Sequence, residues 1–447
     1  MDEKKELTTI MECSSSYLLN DKEGNEIEKG DGEAKLDEEN LSIISKFSEA
    51  FLIHFRDILE ISESDYKLNC RLSSKEELII YNLGYHHEDF LRVFIKLRNQ
   101  LLLKDMLMDE TLRKSGTEAE YVQMNELGKV IQKGKCKPKL YETALIMISD
   151  SREPIRIPYS DISEIKAEDF MLTIKTDFND QFIFSKMGRQ FDSFVKTLSE
   201  LISELSLKAQ ASLKELLPNA NSSIIRKAAK FMKEGKAAKR SDLETVSPDL
   251  WVELEKKLKM AGVKAEYDFL KSYAQKDKMC IGLKRGLLGD LTGEYIWFLI
   301  PIYSTDSKAF GNAIAIEAIS SDGGGKATYF FRIVSRNGYT NMKDLDVFHL
   351  KVDDYIKKMN RCMLAINFRR EPIYIPKERL EEPQYQKYQI AISKIPELRI
   401  LRELFIGRVI HSSFEQWKAD VTDLLTFNVE STDDEVRWKK GENFEQE

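Results

Sequence analysis

The chain has 447 residues, of which 42% are apolar, 10% aromatic and 32% charged, the composition of a soluble globular protein of about two to four domains. Its longest apolar runs, such as 295–303, fall well short of the about 20 consecutive apolar residues of a membrane-spanning helix, and the charged opening MDEKKELTTI lacks the apolar stretch of a secretory signal. The cysteines, Cys13, Cys70, Cys136, Cys280 and Cys362, are scattered without a C-x-x-C pair, which argues against a disulfide framework or a zinc site and for a reducing, cytoplasmic setting.

The net charge of -7 is unevenly distributed. Residues 1–40 carry 13 acids and 5 bases, and residues 430–447 carry 7 acids and 3 bases, so two acidic ends flank a mildly basic body. Polar, charged ends with few aromatics bury too little surface to offset their ordering entropy, and both are expected to be disordered tails.

Between them, 41–118 reads as a helical region. Ile43, Ile44, Phe47, Phe51, Leu52, Phe55, Ile58 and Leu59 recur at three- and four-residue spacing, the period of one helical face. Ser73 and Glu76 have capping-box spacing before a short helix that Gly84 would end, and a longer helix is expected over about 88–108. The period then changes. Residues 140–149, 154–165, 170–176 and 181–185 are short apolar or alternating runs separated by turn residues, as in an antiparallel meander, and 190–205 follows as an amphipathic helix with Phe191, Phe194, Leu198 and Leu201 on one face.

Residues 207–278 read as a basic helical connector. The stretch 206–240 has nine bases and two acids, and its helix at 224–235 places Ile224, Ile225, Ala228, Phe231 and Met232 opposite Arg226, Lys227, Lys230 and Lys233. A further helix opens at Ser247-Pro248, an N-cap followed by proline, and ends near Gly262. A second α+β module is expected over 279–429, with strands at 294–304, 312–320 and 327–335. If Gly324-Gly325 is a two-residue hairpin loop, Glu317 faces Arg332 across the ladder as a structural pair. Two echoes suggest that this module duplicates the earlier one: Arg152–Pro158 against Arg370–Pro376, and Phe191-Asp192-Ser193-Phe194 against Phe414-Glu415-Gln416-Trp417. The fold class is therefore α+β multidomain, with two antiparallel β-containing modules joined and flanked by helices.

Residues 119–206 resemble the pleckstrin-homology-like superfold. The residues that carry the resemblance are the strand at 140–149, the segment Arg156-Ile157-Pro158-Tyr159-Ser160-Asp161-Ile162 with Ile165, the strands at 171–176 and 181–184, and the closing helix with Phe191, Phe194 and Leu198. Many members have a tryptophan in that helix, where this chain has Phe191 and Phe194. The resemblance implies a mostly non-enzymatic module for phosphoinositides, peptides or partner domains. It singles out Lys133, Lys135, Lys137 and Lys139, just before the strand at Leu140, as positions for a phosphate.

Catalytic signatures are weak. His86, His87, Glu88 and Asp89 are adjacent and lack metal-ligand spacing, so acids at a helix N-terminus explain them more simply. GGGKAT at 323–328 lacks the first glycine and the hydroxyl of a phosphate loop. No catalytic residue, metal or cofactor is assigned. The reading is a cytoplasmic, non-enzymatic binding or scaffold protein with a protein partner. The alternative is association with nucleic acid or anionic lipid through the basic helix 224–240, and a third reading is an enzyme with a dispersed site.

Overall fold

The computed structural model describes residues 9–45, 50–105, 111–148, 154–285, 294–304, 309–320, 327–335, 338–339, 345–366, 368–385, 388–389, 391–392 and 395–430. The chain divides into two compact units, 1–198 and 199–447, and its class is α+β multidomain.

The first unit contains two curled antiparallel sheets, each followed by a helix. The first sheet comprises β1 (Met11–Asn20), β2 (Glu26–Leu36), β3 (Asn40–Ser45), β4 (Phe51–His54), β5 (Ile58–Ser64), β6 (Lys67–Leu72) and β7 (Glu77–Tyr81), in the order β4-β3-β2-β1-β7-β6-β5. Helix α1 (His87–Asp105) follows it, burying Phe90, Phe94, Leu97 and Leu101 against the sheet's inner residues. The second sheet comprises β8 (Leu112–Ser115), β9 (Ala119–Met124), β10 (Val130–Tyr141), β11 (Ala144–Ile148), β12 (Ile155–Pro158), β13 (Ile162–Glu168), β14 (Met171–Thr176) and β15 (Gln181–Ser185). Its order is β12-β11-β10-β9-β15-β14-β13, with β8 paired to β10, and α2 (Phe191–Leu216) follows.

The two orders are the same, and the registers match residue for residue. Tyr17 faces Gly30 and Ile80, and Tyr121, 104 positions on, faces Gly134 and Phe184 at the same spacing. The pairs Leu36–Leu41 and Leu140–Leu145, Leu41–Ile53 and Leu145–Ile157, and Ile61–Cys70 and Ile165–Ile174 repeat the relation. Turn backbones repeat as well: Asp65 and Asp169, Asn82 and Lys186, and Gly84 and Gly188 all have positive φ. The first unit is a tandem structural repeat.

This corrects the reading of residues 1–40 as a disordered tail, since β1 and β2 lie within it; residues 1–8 are outside the described ones. Strand β2 has the sequence EIEKGDGEAKL, charged on its outer face with both signs, with Gly32, Ala34 and Leu36 buried on the inner one. The small residues suit that face: a Cβ on Gly30 would lie 3.2 Å from the Tyr17 ring, and one on Gly32 would lie 2.3 Å from the Ile44 carbonyl oxygen. Composition measures net polarity and misses this division into two faces. The helical reading of 41–118 is corrected for 41–81, where β3 to β7 lie, while the longer helix expected over about 88–108 is α1 (His87–Asp105). Leu41, Ile43, Ile53 and Ile58 are buried inward positions of successive short strands, and Phe55 is buried in the 3-10 turn between β4 and β5; their combined spacing imitates a helical period. Ser73 to Glu76 form a turn between β6 and β7, with Lys75 at φ 74°, so no helix opens there. The antiparallel meander and the helix after it stand, with two changes: a turn at 142–143 divides 140–149 between β10 and β11, and a 3-10 turn at Tyr159–Asp161 divides 154–165 between β12 and β13; residues 149–153 lie outside the described ones.

The second unit includes the later turns of α2 and helices α3 (Ser222–Phe231), α4 (Arg240–Val246), α5 (Pro248–Met260), α6 (Lys264–Lys271), α7 (Leu345–Ala365), α8 (Glu371–Tyr374), α9 (Pro396–Leu404) and α10 (Phe414–Glu430). They accompany a sequential antiparallel sheet of β16 (Ala238–Lys239), β17 (Cys280–Arg285), β18 (Glu294–Ile302), β19 (Ala313–Ser320), β20 (Ala327–Arg332) and β21 (Phe405–Ile410). Leu254, Leu258, Tyr267, Phe298, Phe330 and Trp417 lie in its core. Helix α5 starts and stops where Ser247-Pro248 and Gly262 place its ends. None of the described helices is long and apolar enough to cross a membrane.

Two expectations for this unit are overturned. Ala313 faces Arg332 in the β19–β20 ladder, so Glu317, four residues further along β19, is not opposite Arg332. Six residues, 321–326, separate the strands where a two-residue loop was assumed, and this moves the register; the residues of that loop lie outside the described ones. Arg332 instead donates from Nε to Asn428 Oδ1 at 2.8 Å. The echo of 152–158 in 370–376 does not mark a duplication, because Ile155–Pro158 is a strand and Glu371–Tyr374 a helical turn. Arg402 donates to the carbonyl oxygens of Pro372, Ile373 and Ile375 and holds the later segment in its turn. The repeat in this protein is the one within residues 11–198. Apart from Glu430, the acidic end 430–447 lies outside the described residues.

Candidate anion-binding hairpin

Hairpin β9–β10 turns at Asn125–Lys129. The Asn125 side-chain oxygen accepts from the Leu127 and Lys129 amides at 3.1 and 3.0 Å, and Gly128 takes φ 71°, a left-handed conformation that glycine adopts without strain. Beyond the turn β10 is extended, so alternate side chains share a face. Cys136, Pro138 and Leu140 point inward and are buried, which sends Lys133, Lys135, Lys137 and Lys139 outward. The four lysines expected beside a loop are therefore a stripe on a strand, about 6.6–6.8 Å between neighbours from the rise per residue. At the hairpin tip Leu127 is 84% exposed, Val130 48% and Ile131 54%.

Among the described residues little nearby negative charge offsets the stripe. Lys137 Nζ lies 3.6 Å from Glu118, an exposed contact. Glu120 faces Lys135 across the ladder, but its carboxylate takes Lys186 Nζ at 2.8 Å. Lys139 is half-buried, and this desolvation, with Lys96 and Lys137 close by, holds its ammonium below the usual lysine range. A negative partner would relieve that crowding.

The first repeat shows what the fold itself requires here. Hairpin β1–β2 makes the same turn: Asp21 Oδ1 accepts from the Glu23 and Asn25 amides at 2.8 and 2.9 Å, and Gly24 has φ 85°. The outward positions on β2 matching the lysines are Lys29, Asp31, Glu33 and Lys35. They are largely paired: Ser16 donates to Asp31 at 2.6 Å, Lys29 pairs with Glu26 at 3.0 Å, and Lys35 pairs with Glu12 and Glu33 at 3.0 and 3.3 Å. Residues 20–36 contain six acids and three lysines, against one acid and five lysines in 124–140. The curled sheet folds with either set.

The second basic group lies in the other unit. Arg226, Lys227 and Lys230 are exposed on α3, whose apolar side, Ile225, Ala228 and Ala229, is buried. Lys233 falls beyond the helix, which ends at Phe231, because Glu234 takes φ 55° and breaks it. The segment 224–240 is thus one short helix, a 3-10 turn and the two-residue strand β16.

Glu317 was singled out for the wrong partner. Its carboxylate is fully buried, accepts from Thr328 Oγ1 at 2.7 Å and lies 3.1 Å from His411 Nε2, while His411 Nδ1 is 3.4 Å from Glu266. Trp417 Nε1 donates to the same Thr328 hydroxyl at 3.1 Å. This group ties α6, β19, β20, α10 and the segment after β21 together in the core. Residues so remote in sequence gave no spacing signal. His87 is likewise paired, its Nε2 2.9 Å from Glu63. A cavity of about 590 Å³ opens beside Phe170, Met171, Lys186 and Arg189 at the end of the second repeat.

No known family matches the sequence, and no curated protein matches it significantly. Among solved structures, the C-terminal domain of an unknown protein from Leishmania infantum aligns with 23% of this chain and 95% of its own length, at 17% identity and a TM-score of 0.18. The Spt16D Pob3N heterodimer aligns with 38% of this chain and 85% of its own, at 13% identity and a TM-score of 0.17. Likeness at these scores carries no argument about function.

Proposed function

We propose that this protein is a non-enzymatic, adaptor-like binding protein of the cytoplasm, built on two pleckstrin-homology-like modules, whose second module recognises an anionic partner through hairpin β9–β10. The observation that carries the reading is the contrast between repeats: four outward lysines on β10 occupy positions that the same fold fills on β2 with two lysines, an aspartate and a glutamate. Seven strands in the order 4-3-2-1-7-6-5 followed by a helix, found twice, support the module assignment. Five free, buried cysteines suit a reducing compartment.

The test is binding of the full chain to vesicles with and without anionic lipid and to a polyglutamate peptide, each over a salt series. Affinity for an anionic probe should fall steeply with salt, because exposed charges are screened over about 10 Å at 0.1 M. Lys133→Glu, Lys135→Glu and Lys137→Glu combined should abolish it, at about 1 kcal/mol per lysine if the probe is an anionic membrane. Reversal of Arg226, Lys227 and Lys230 should leave it unchanged. The opposite result would shift the function to α3, where Phe231, 40% exposed beside those bases, favours lipid or nucleic acid as a second reading.

A further inference from the structure

We infer that hairpin β9–β10 of one molecule binds hairpin β1–β2 of a second molecule of this chain, so that copies associate head to tail. The inference rests on the reading of β9–β10 as a binding surface and names its partner. The two hairpins share a turn, a register and an outward face, and they carry opposite charge: six acids and three lysines in 20–36, one acid and five lysines in 124–140. The net negative charge of β1–β2 lies towards its turn, on Asp21, Glu23 and Glu26. Asp31 and Glu33 share their outward face with Lys29 and Lys35, and Glu28 is on the inner face, where it accepts from Tyr17 at 2.6 Å. The acidic end at the turn can be brought against the lysine stripe of β10. Ile27 and Ile131, at matching positions, are 51% and 54% exposed, which places one apolar contact inside the charged field.

Among the described residues Lys137 lies 3.6 Å from Glu118, an exposed contact, and none of Lys129, Lys133, Lys135, Lys137 and Lys139 pairs with an acid of its own β1–β2. An anionic bilayer would suit the lysines and Ile131 equally well. What favours a second copy is that the acidic hairpin belongs to the same chain and is built on the same backbone. Each molecule offers one hairpin of each sign, so the contact is heterologous. It forms a ring if its rotation closes and an open chain if it does not.

Charge exchange tests this on the full chain, by sedimentation velocity at about 0.1 M and about 1 M salt, between which the screening length falls from about 10 Å to about 3 Å. The wild type should associate at the lower salt, at roughly double the single-chain mass or more, and dissociate at the higher. A basic-to-acidic variant (Lys133→Glu, Lys135→Glu, Lys137→Glu) and an acidic-to-basic variant (Glu23→Lys, Glu26→Lys, Glu33→Lys) should each stay monomeric alone. Mixed, they should associate again, which misfolded variants would not do. Either variant associating alone as the wild type does, or no association in the mixture, overturns the inference. A monomeric wild type that still binds anionic vesicles through the lysines overturns self-association and leaves the proposed function standing. A monomeric wild type that binds no anionic probe removes both.

Discussion

Hairpins β1–β2 and β9–β10 share a turn, a register and a face, and differ in most outward side chains. In the first repeat Asp31 and Glu33 stand where the second has Lys135 and Lys137, and the tip residue Glu23 stands where the second has Leu127. Inward positions behave in the opposite way: Tyr17 and Tyr121, Leu36 and Leu140, Leu41 and Leu145, Leu68 and Leu172, and Phe90 and Phe194 are the same residue and buried in both. The difference separates what the curled sheet needs from what it merely tolerates. Packing specifies one face, and the other is free to take either sign of charge.

If the comparison is sound, matched core substitutions should cost the same in each repeat. Phe90 is fully buried and Phe194 is 1% exposed. Phe90→Ala and Phe194→Ala should each destabilise by about 3–5 kcal/mol, the range for truncating a buried phenylalanine. Denaturant unfolding of the full chain, with the near-ultraviolet signal following each variant, measures this. Tolerance of one substitution and not the other would mean that one helix does not close its sheet, and the repeats would be alike in topology only.

The second effect is smaller and lies in the turns. A Cβ on Gly24 or Gly128 meets nothing within 4 Å, so alanine there would be opposed by backbone conformation alone, at φ 85° and 71°. Each Gly→Ala change should cost about 1–2 kcal/mol, the cost of placing an L-residue in the left-handed region. A cost several times larger at Gly128 would show that the β9–β10 tip packs against something that β1–β2 lacks.

Legibility in the sequence follows the same division. Where a strand's inner residues are bulky, as the alternating ones in 170–185 and the continuous apolar run 144–148, the meander, with its closing helix, was readable. Strand β2 was not, because its inward residues include Gly30, Gly32 and Ala34, and the bulk facing them is supplied by Tyr17 on β1. The repeat itself was hidden for the same reason. Inward and turn positions recur more than outward ones, and the louder echo at 152–158 and 370–376 drew the comparison to the wrong place. Its signal was nonetheless present: Asp57 and Asp161, Asp65 and Asp169, Gly84 and Gly188, and Phe90 and Phe194 share one offset. For the hairpin, residue type was legible and placement was not. Lysines at alternate positions through Cys136 and Pro138 are a strand pattern, whereas the resemblance placed them beside a loop. The His411 group was illegible because its members come from four strands and helices and the segment after β21, brought together only by packing.

The smallest effect distinguishes the two turns by pH. The Asp21 carboxylate accepts from the Asn25 side chain at 2.9 Å and from the Asn25 and Glu23 amides, and these bonds hold it below the usual aspartate range. A depressed folded value means that the contribution to the turn is complete above the unfolded aspartate value of about 3.9 and is lost as pH falls through the folded one. Asn125 makes the same two amide contacts in the second repeat and has no proton to take up in this range. Amide exchange at Asn25, corrected for the intrinsic pH dependence, should therefore accelerate as the solution is taken from about pH 5 to below the unfolded value of about 3.9, while exchange at Lys129 keeps its protection. Equal loss at both positions would mean that acid loosens the whole unit and that the turn carboxylate has no separate part in it. Loss at Asn25 alone would show that the repeats share a backbone held at corresponding points by different chemistry, one turn by a carboxylate and the other by an amide.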